Sequence, residues 1–341
     1  TYLEVMMRCL VTGGAGFIGS NLVHELVSQG NTVDVVDNLT SGNLDNLDGI
    51  NRRHVLGELL HLYEESFEAN RATGQVLFVE ANFQDAPILK RVQENKYDVV
   101  FHLAANPRVA FSVENPWVTT EENVLNTIAL CEAIIRGSSK TRLVFSSTCA
   151  AYGNPRALPV HENDAKNPES PYGWQKGAVE DFLKMASKLY DLDSICLRYF
   201  NVYGPRQLGN SAYSTAISSW CDKVSTGNSL RFDGDGTQTR DMIYVMDVVR
   251  ANITAAESKI KFLADVVNIG TGRETSNNQI LDIFRKYFKD VKITYAPKRL
   301  GDVDHVYADV QRAKDLLGFE SKTTLETGLA ATFKWWKLTG E

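Results

Sequence analysis

Arg8-Cys9-Leu10-Val11-Thr12, running into Gly13-Gly14-Ala15-Gly16-Phe17-Ile18-Gly19, is the stretch that decides the fold. The first five residues are a short apolar run of the kind a buried strand needs. Glycines 13, 16 and 19 follow as Gly-x-x-Gly-x-x-Gly, and Ile18 to Gln29 reads as a helix. The first glycine permits a tight turn, and the second lets the backbone approach a pyrophosphate. The third lets the helix pack against the strand, whose following helix N-terminus offers N–H donors and a positive dipole end. Thr32 to Val36 is a second strand. Asp37 closes it about 20 residues after the glycines, where a dinucleotide fingerprint expects a carboxylate. That carboxylate accepts from both ribose hydroxyls and repels a 2′-phosphate, so NAD is favoured over NADP. A glycine turn with no ligand is the alternative, and the strand–turn–helix context weighs against it.

Outward from this unit the pattern repeats. Gln75–Glu80, Val99–Ala104, Arg142–Ser146 and Ser194–Arg198 read as strands, with helical stretches at 86–95, 117–136 and 174–190 between them. Such alternation predicts an α/β protein with a Rossmann-type, doubly wound parallel sheet. Beyond Gly204 the pattern is less regular, with a helix over about 212–226, a strand at Asp265–Ile269 and a helical block from Leu325 to Leu338. This region predicts a smaller mixed α/β lobe over the carboxyl edge of the sheet. Residues 53–73 interrupt the rhythm and fit an amphipathic helix loosely, which predicts an inserted surface or interface helix.

The chain has 341 residues and a net charge of -6, with Lys and Arg dispersed. This argues against a nucleic-acid or membrane-surface partner. No apolar run approaches the ~20 residues that cross a bilayer. Five cysteines, at 9, 131, 149, 196 and 221, stand far apart with no Cys-x-x-Cys, the pattern of reduced cytoplasmic thiols. Residues 1–6 precede what reads as a natural start at Met7, with no secretory leader. His102 lies inside a strand and has no partners at metal-ligand spacing, so it reads as structural; no metal is expected.

Tyr172 and Lys176 stand four apart in Ser170-Pro171-Tyr172-Gly173-Trp174-Gln175-Lys176. On a helix they share a face. An ammonium beside a phenol favours the phenolate, which can then take a proton from a sugar hydroxyl near neutral pH. Alone the spacing is also that of an exposed helix pair.

Together with the glycine run, Asp37, Asn106, Ser146-Ser147-Thr148 and the Tyr172/Lys176 pair, three further stretches carry a resemblance over nearly the whole chain. These are Leu197 to Arg206 (LRYFNVYGPR), Asp233 to Asp241 (DGDGTQTRD) and Arg299 to Asp302 (RLGD). The sequence resembles the extended short-chain dehydrogenase/reductases, within them the NAD-dependent nucleotide-sugar epimerases and dehydratases, and most of all the UDP-glucose (UDP-galactose) 4-epimerases. The resemblance implies catalytic roles for Thr148, Tyr172 and Lys176. It implies cofactor contacts from Gly13, Gly16, Phe17, Ile18, Gly19, Asp37, Asn38, Asn82, Phe83, Leu103, Ala104, Ala105, Tyr172 and Lys176. It implies substrate contacts from Arg108, Thr148, Asn201, Arg240, Arg299 and Asp302, the arginines gripping a diphosphate. The implied NAD-binding domain is 7–200 with about 243–272, and the nucleotide-sugar domain about 201–242 with 273–341. Asn82 stands where the family usually has Asp, and keeps an acceptor oxygen for the adenine.

The same resemblance implies that C4 of the sugar is oxidised first and that the residues after Thr148 choose the outcome. Cys149 and Ala150 replace the acid–base pair of the 4,6-dehydratases, and alanine cannot move a proton. Return of the hydride remains, which is 4-epimerisation. Cys149 invites comparison with C3/C5 epimerases, but it lies one residue after the catalytic threonine and not two. Ala110, where UDP-glucuronate enzymes tend to place an arginine, argues for a neutral UDP-hexose, with Arg108 close enough to keep the question open. UDP-glucose/UDP-galactose is the default, and UDP-N-acetylhexosamine or UDP-glucuronate are alternatives. An NAD(P)H-dependent 4-ketosugar reductase and a non-catalytic dinucleotide sensor are the competing classes. Surplus apolar residues on 117–136 and 172–190, including Leu125 and Met185, imply by resemblance a homodimer, or else ordinary core.

Overall fold

The computed structural model describes residues 6–138, 140–209, 215–297 and 304–339, with only the backbone of 63–67. The strand periodicity of the first half builds one parallel sheet from β1 (Arg8–Thr12), β2 (Thr32–Asp37), β3 (Arg52–Leu56), β4 (Val76–Glu80), β5 (Val99–His102), β6 (Arg142–Thr148) and β7 (Ser194–Tyr199). Four short strands follow: β8 (Asn201–Tyr203), β9 (Leu230–Asp233), β10 (Thr239–Arg240) and β11 (Met242–Tyr244). Then β12 (Leu263–Ile269) returns to complete an eight-stranded sheet of order β12-β7-β6-β5-β1-β2-β4-β3. β13 (Thr275–Ser276), β14 (Ile293–Ala296) and β15 (His305–Val306) pair with the short strands, β14 beside β9 and β10 between β13 and β15. This is the doubly wound architecture expected.

Successive strand side chains point to opposite faces, and both faces are covered. Cys9, Val11, Val35 and Phe101 pack with Leu22 and Leu26 of α1 (Phe17–Ser28) and Val248 of the later helix Val245–Glu257. Leu10, Val100, Leu143 and Phe145 pack on the other face. There they meet α2 (Leu60–Asn70), α3 (Ala86–Gln93), α6 (Asn126–Arg136) and α7 (Pro171–Tyr190), while the short α4 (Val109–Glu114) and α5 (Pro116–Thr120) lie against α7. The remaining helices are α8 (Ala216–Ser225), α9 (Val245–Glu257), α10 (Asn277–Tyr287), α11 (Gln311–Leu317) and α12 (Leu325–Trp335). Trp220 of α8, Phe232 of β9, Phe284 of α10 and Phe333 of α12 form a separate aromatic core.

Three elements depart from expectation. The interrupting segment is not simply a helix. Its first part is β3, the edge strand, paired parallel to β4 from Arg52↔Val76 to Leu56↔Glu80; a 3-10 turn at Gly57–Leu59 then leads into a helix over 60–70. The segment 116–136 is continuous, but Glu121–Leu125 forms a wide π-helical turn between α5 and α6. α7 begins at Pro171, three residues earlier than its apolar pattern suggests, because Ser170 caps it by accepting from Gly173 N at 3.2 Å. Tyr172 therefore sits in the first turn.

The inserted segment is tied down by buried charge. Asp34 of β2 meets Arg71 at 2.9 Å and Arg91 at 2.7 Å, and Arg91 also meets Glu68 at 2.9 Å. Tyr97 donates to Asp34 at 2.8 Å. Removing one member of a buried pair strands the others in low dielectric. Asp34→Ala should cost about 3–5 kcal/mol, measured as a lower denaturant midpoint with an unchanged m-value.

Candidate active site

The glycine turn leaves β1 and enters α1 with no room for side chains. Gly13 has φ +71°, and a Cβ there would lie 2.7 Å from Ala104 N. A Cβ on Gly19 would collide with the carbonyl oxygen of Gly13. The N-cap position, Gly16, has no side chain to cap the helix, so the first turn of α1 presents its backbone donors to whatever lies in front of it. Asp37, at the end of β2, holds this turn: its Oδ2 accepts from Ala15 N at 3.0 Å and its Oδ1 from Leu39 N at 2.8 Å. Burial raises its pKa, and these two N–H donors oppose the rise.

In front of the turn lies a cleft of about 600 Å³ at the carboxyl ends of the strands. Gly13, Gly16, Phe17, Ile18, Gly19, Asp37, Asn38, Asn82, Phe83, Leu103, Ala104, Ala105, Tyr172 and Lys176 all line it. Asn38 Nδ2 donates to Asn82 Oδ1 at 2.8 Å, which still leaves that oxygen a second lone pair. Such a cradle suits a dinucleotide: glycines where any Cβ would intrude, a helix N-terminus, and a carboxylate one strand away.

Three of the other candidates adjoin cleft-lining residues in the chain: Thr148 follows Ser147, Arg108 follows Pro107 and Asn201 precedes Val202. Thr148 ends β6; its hydroxyl accepts from Ala150 N at 3.1 Å and is near enough to the Tyr172 phenol to oppose the rise in its pKa. Cys149 is an electrostatic neighbour of that phenol, and Asp241 and Arg240 are electrostatic neighbours of Cys149. Arg240 itself donates to Thr239 O at 2.8 Å. Asn201 opens β8 and donates its N–H to Asp241 O at 3.0 Å. Arg108 lies over the Phe111 ring, 5.1 Å from its centroid. Thr148, Arg108, Asn201 and Arg240 do not line the main cleft. Arg299 and Asp302 lie outside the described residues.

The electrostatics correct one expectation. Spacing alone suggests that Lys176 makes the phenol acidic. Here burial dominates and pushes the Tyr172 pKa up, with Thr148 opposing the rise and Cys149 adding to it. The ammonium of Lys176 points elsewhere: it donates to Ser146 O at 2.8 Å and stands 4.7 Å from the Phe145 ring centroid. Burial lowers its own pKa to about 7, against upward pulls from Cys196 and Glu180. His102 is structural, as expected. It is held by Thr12 Oγ1 at 2.7 Å and Thr127 Oγ1 at 2.9 Å, and burial lowers its pKa to about 3. Among the described residues no three His, Cys, Asp or Glu side chains are grouped to hold a metal ion, and no helix is long and apolar enough to cross a membrane.

Two features, one lining the cleft and one buried outside its lining, escaped the sequence reading. Arg206 lines it with a left-handed backbone (φ +70°) and reaches Asn21 Oδ1 at 2.7 Å and Asn46 O at 3.1 Å. Its only signal was its place in the LRYFNVYGPR stretch. Gln175, between Tyr172 and Lys176, is wholly buried and joined to Asn123 of the π-helical turn at 2.8 Å. Nothing in a helical pattern reveals which neighbour a buried amide will meet.

Comparison with known proteins agrees with this geometry. The model of the NAD dependent epimerase/dehydratase family matches residues 9–270. A putative UDP-glucose 4-epimerase of Methanocaldococcus jannaschii is 37% identical over 331 residues, covering 96% of this chain and 98% of the relative. Among solved structures, the UDP-N-acetylglucosamine 4-epimerase of Methanobrevibacter ruminantium, in complex with UDP-N-acetylmuramic acid, superposes with a TM-score of 0.86 at 33% identity, over 98% of this chain and 99% of that one. The UDP-glucose 4-epimerase of Thermotoga maritima, with UDP-glucose, gives 0.83 at 36% identity, over 97% and 98%. The glycine cradle with its carboxylate, the phenol and threonine at its end, and a family match across most of the chain place this protein in the NAD-dependent epimerase/dehydratase family.

Proposed function

We propose that this protein interconverts UDP-glucose and UDP-galactose by NAD-dependent epimerisation at C4. The observation that carries the reading is the Tyr172 phenol, one helical turn from Lys176, on the wall of the cleft lined by Gly13, Gly16, Gly19 and Asp37. In this reading NAD supplies the acceptor and donor of the C4 hydride. Tyr172 takes the proton of the C4 hydroxyl and returns it, and Thr148 orients that hydroxyl. Lys176, anchored on Ser146 O at the wall of the cleft, holds the nicotinamide ribose. Asp37, whose oxygens each accept one backbone N–H, keeps further lone pairs for the adenosine ribose. Asn38, Asn82 and Phe83 form the adenine end; Leu103, Ala104 and Ala105 follow the dinucleotide along the cleft. Arg108, Asn201, Arg240, Arg299 and Asp302 bind the UDP-sugar.

Elimination chemistry is disfavoured at this site. Burial pushes the Cys149 thiol up to about 12, so it is no base near neutral pH, and Ala150 can neither take nor give a proton. A neutral hexose suits Ala110 and an Arg108 already stacked on Phe111. The likeness to the Methanobrevibacter ruminantium enzyme favours a second reading, a UDP-N-acetylhexosamine as substrate. The same proposal divides the chain into a cofactor domain (7–200 with about 243–272) and a nucleotide-sugar domain (about 201–242 with 273–341). It adds a homodimer formed through the exposed apolar residues Trp117, Leu125, Trp174, Met185 and Leu189, and a cytoplasmic location suited to five free cysteines.

Purified protein should epimerise UDP-glucose without added reductant and retain NAD through gel filtration; a protein that is empty and consumes NADPH would establish a reductase instead. A panel of nucleotide sugars assayed for epimer formation decides the hexose. Tyr172→Phe should lower kcat by roughly 10²-fold or more, and near-normal turnover would refute the assignment. Lys176 carries a folded pKa of about 7 against an ordinary 10.5. Between those values the unfolded chain binds the extra proton, so stability contributed at this site rises with pH. Nucleotide-free wild type should therefore gain in denaturant midpoint over Lys176→Met as pH rises from about 7 to about 10; a constant gap would contradict the burial argument.

A further inference from the structure

We propose that Gln175 is a positioning residue that sets the loop 105–108 through Asn123, and so fixes where the sugar lies relative to the tyrosine helix. The proposal rests on reading that loop as sugar-facing. Gln175 has no exposed surface, and every polar atom of its amide is used. Its Nε2 donates to Thr119 Oγ1 at 2.8 Å and to Thr120 Oγ1 at 3.1 Å, and its Oε1 accepts from Asn123 Nδ2 at 2.8 Å. Asn123 then grips one residue of the loop twice. Its Oδ1 accepts from Asn106 N at 2.7 Å and its Nδ2 donates to Asn106 O at 3.0 Å. Asn106 adds a third tie, donating from Nδ2 to Glu122 Oε2 at 3.1 Å. Asn106 and its neighbours Ala105 and Pro107 line the cleft.

The chain of amides has one sense. Thr119 and Thr120 send their own protons to backbone oxygens, Thr119 to Asn115 O at 3.0 Å and Thr120 to Pro116 O at 2.6 Å. They therefore face Gln175 as acceptors, which turns its oxygen toward Asn123. That oxygen holds the Asn123 amino group, and the Asn123 oxygen is left to face the Asn106 N–H. A flipped amide anywhere would set donor against donor in a dry interior, which costs the desolvation of both groups. The π-helical turn makes the arrangement reachable, because its wide backbone places Glu122 and Asn123 toward the loop. Gln175 lies between Tyr172 and Lys176 on α7, so the same helix that carries the phenol carries the brace of the loop opposite it.

The test is hydrogen exchange on Gln175→Met, which keeps the volume and removes the amide. Exchange in peptides covering 104–108 should accelerate by about tenfold or more, with α1 and α9 unchanged. Unchanged exchange in the loop, or acceleration spread evenly over the protein, would overturn the proposal. Should Gln175→Met fail to fold, the Thr119→Val/Thr120→Val double variant removes the two acceptors and takes the same test. In the epimerase assay, turnover per bound NAD should fall by about threefold or more, and adding Gln175→Met to Asn123→Leu should cost nothing further. Additive losses, or full turnover with a loosened loop, would also overturn it. A wild type that epimerises no nucleotide sugar would defeat the functional reading, while the exchange experiment would still decide whether Gln175 holds the loop.

Discussion

The site depends on the buried ion pair between Glu180 of α7 and Arg198 of β7. The guanidinium donates to both carboxylate oxygens, at 2.8 and 2.6 Å, with both side chains almost wholly out of water. Ser147 of β6 donates to the same carboxylate at 2.5 Å, and Arg198 lies over the Tyr152 ring at 4.5 Å. Two desolvated charges add little net stability, but they tolerate only one mutual geometry. The pair pins α7 across the carboxyl ends of β6 and β7. One turn before Glu180 on that helix is Lys176, and one further turn back is Tyr172. The register of Tyr172 is thus set by an electrostatic contact between residues that do not line the cleft.

Burial governs the chemistry beyond that register. It raises the phenol of Tyr172 and the thiol of Cys149, and it lowers the ammonium of Lys176 and the imidazole of His102. A dry wall of this kind strengthens every charge later placed against it, since Coulomb energies grow as the effective dielectric falls. The same burial holds the Cys149 thiol protonated, which suits the proposed roles of Tyr172 and Thr148.

The inserted segment shows how tertiary context overrides a local pattern. Its leucines fit a helix loosely, yet 52–56 extends the sheet by one strand because β4 offers an open edge at that point. The early start of α7 has the opposite origin. Ser170-Pro171 is a capping signal visible in the chain, but an apolar pattern read alone overlooks it.

Local rules determined the glycine turn and its helix, the alternation that builds a parallel sheet, and the placing of Tyr172 and Lys176 on one helical face. Each is set by residues within a turn or a strand of one another, so the chain carries them in order. Only the folded molecule decided that the lysine points to Ser146 and not to the phenol, that Arg206 walls the cleft, and that Gln175 reaches Asn123 across 52 positions of sequence. Those outcomes turn on desolvation and on which buried donor finds which acceptor. Both arise only when distant segments exclude water together.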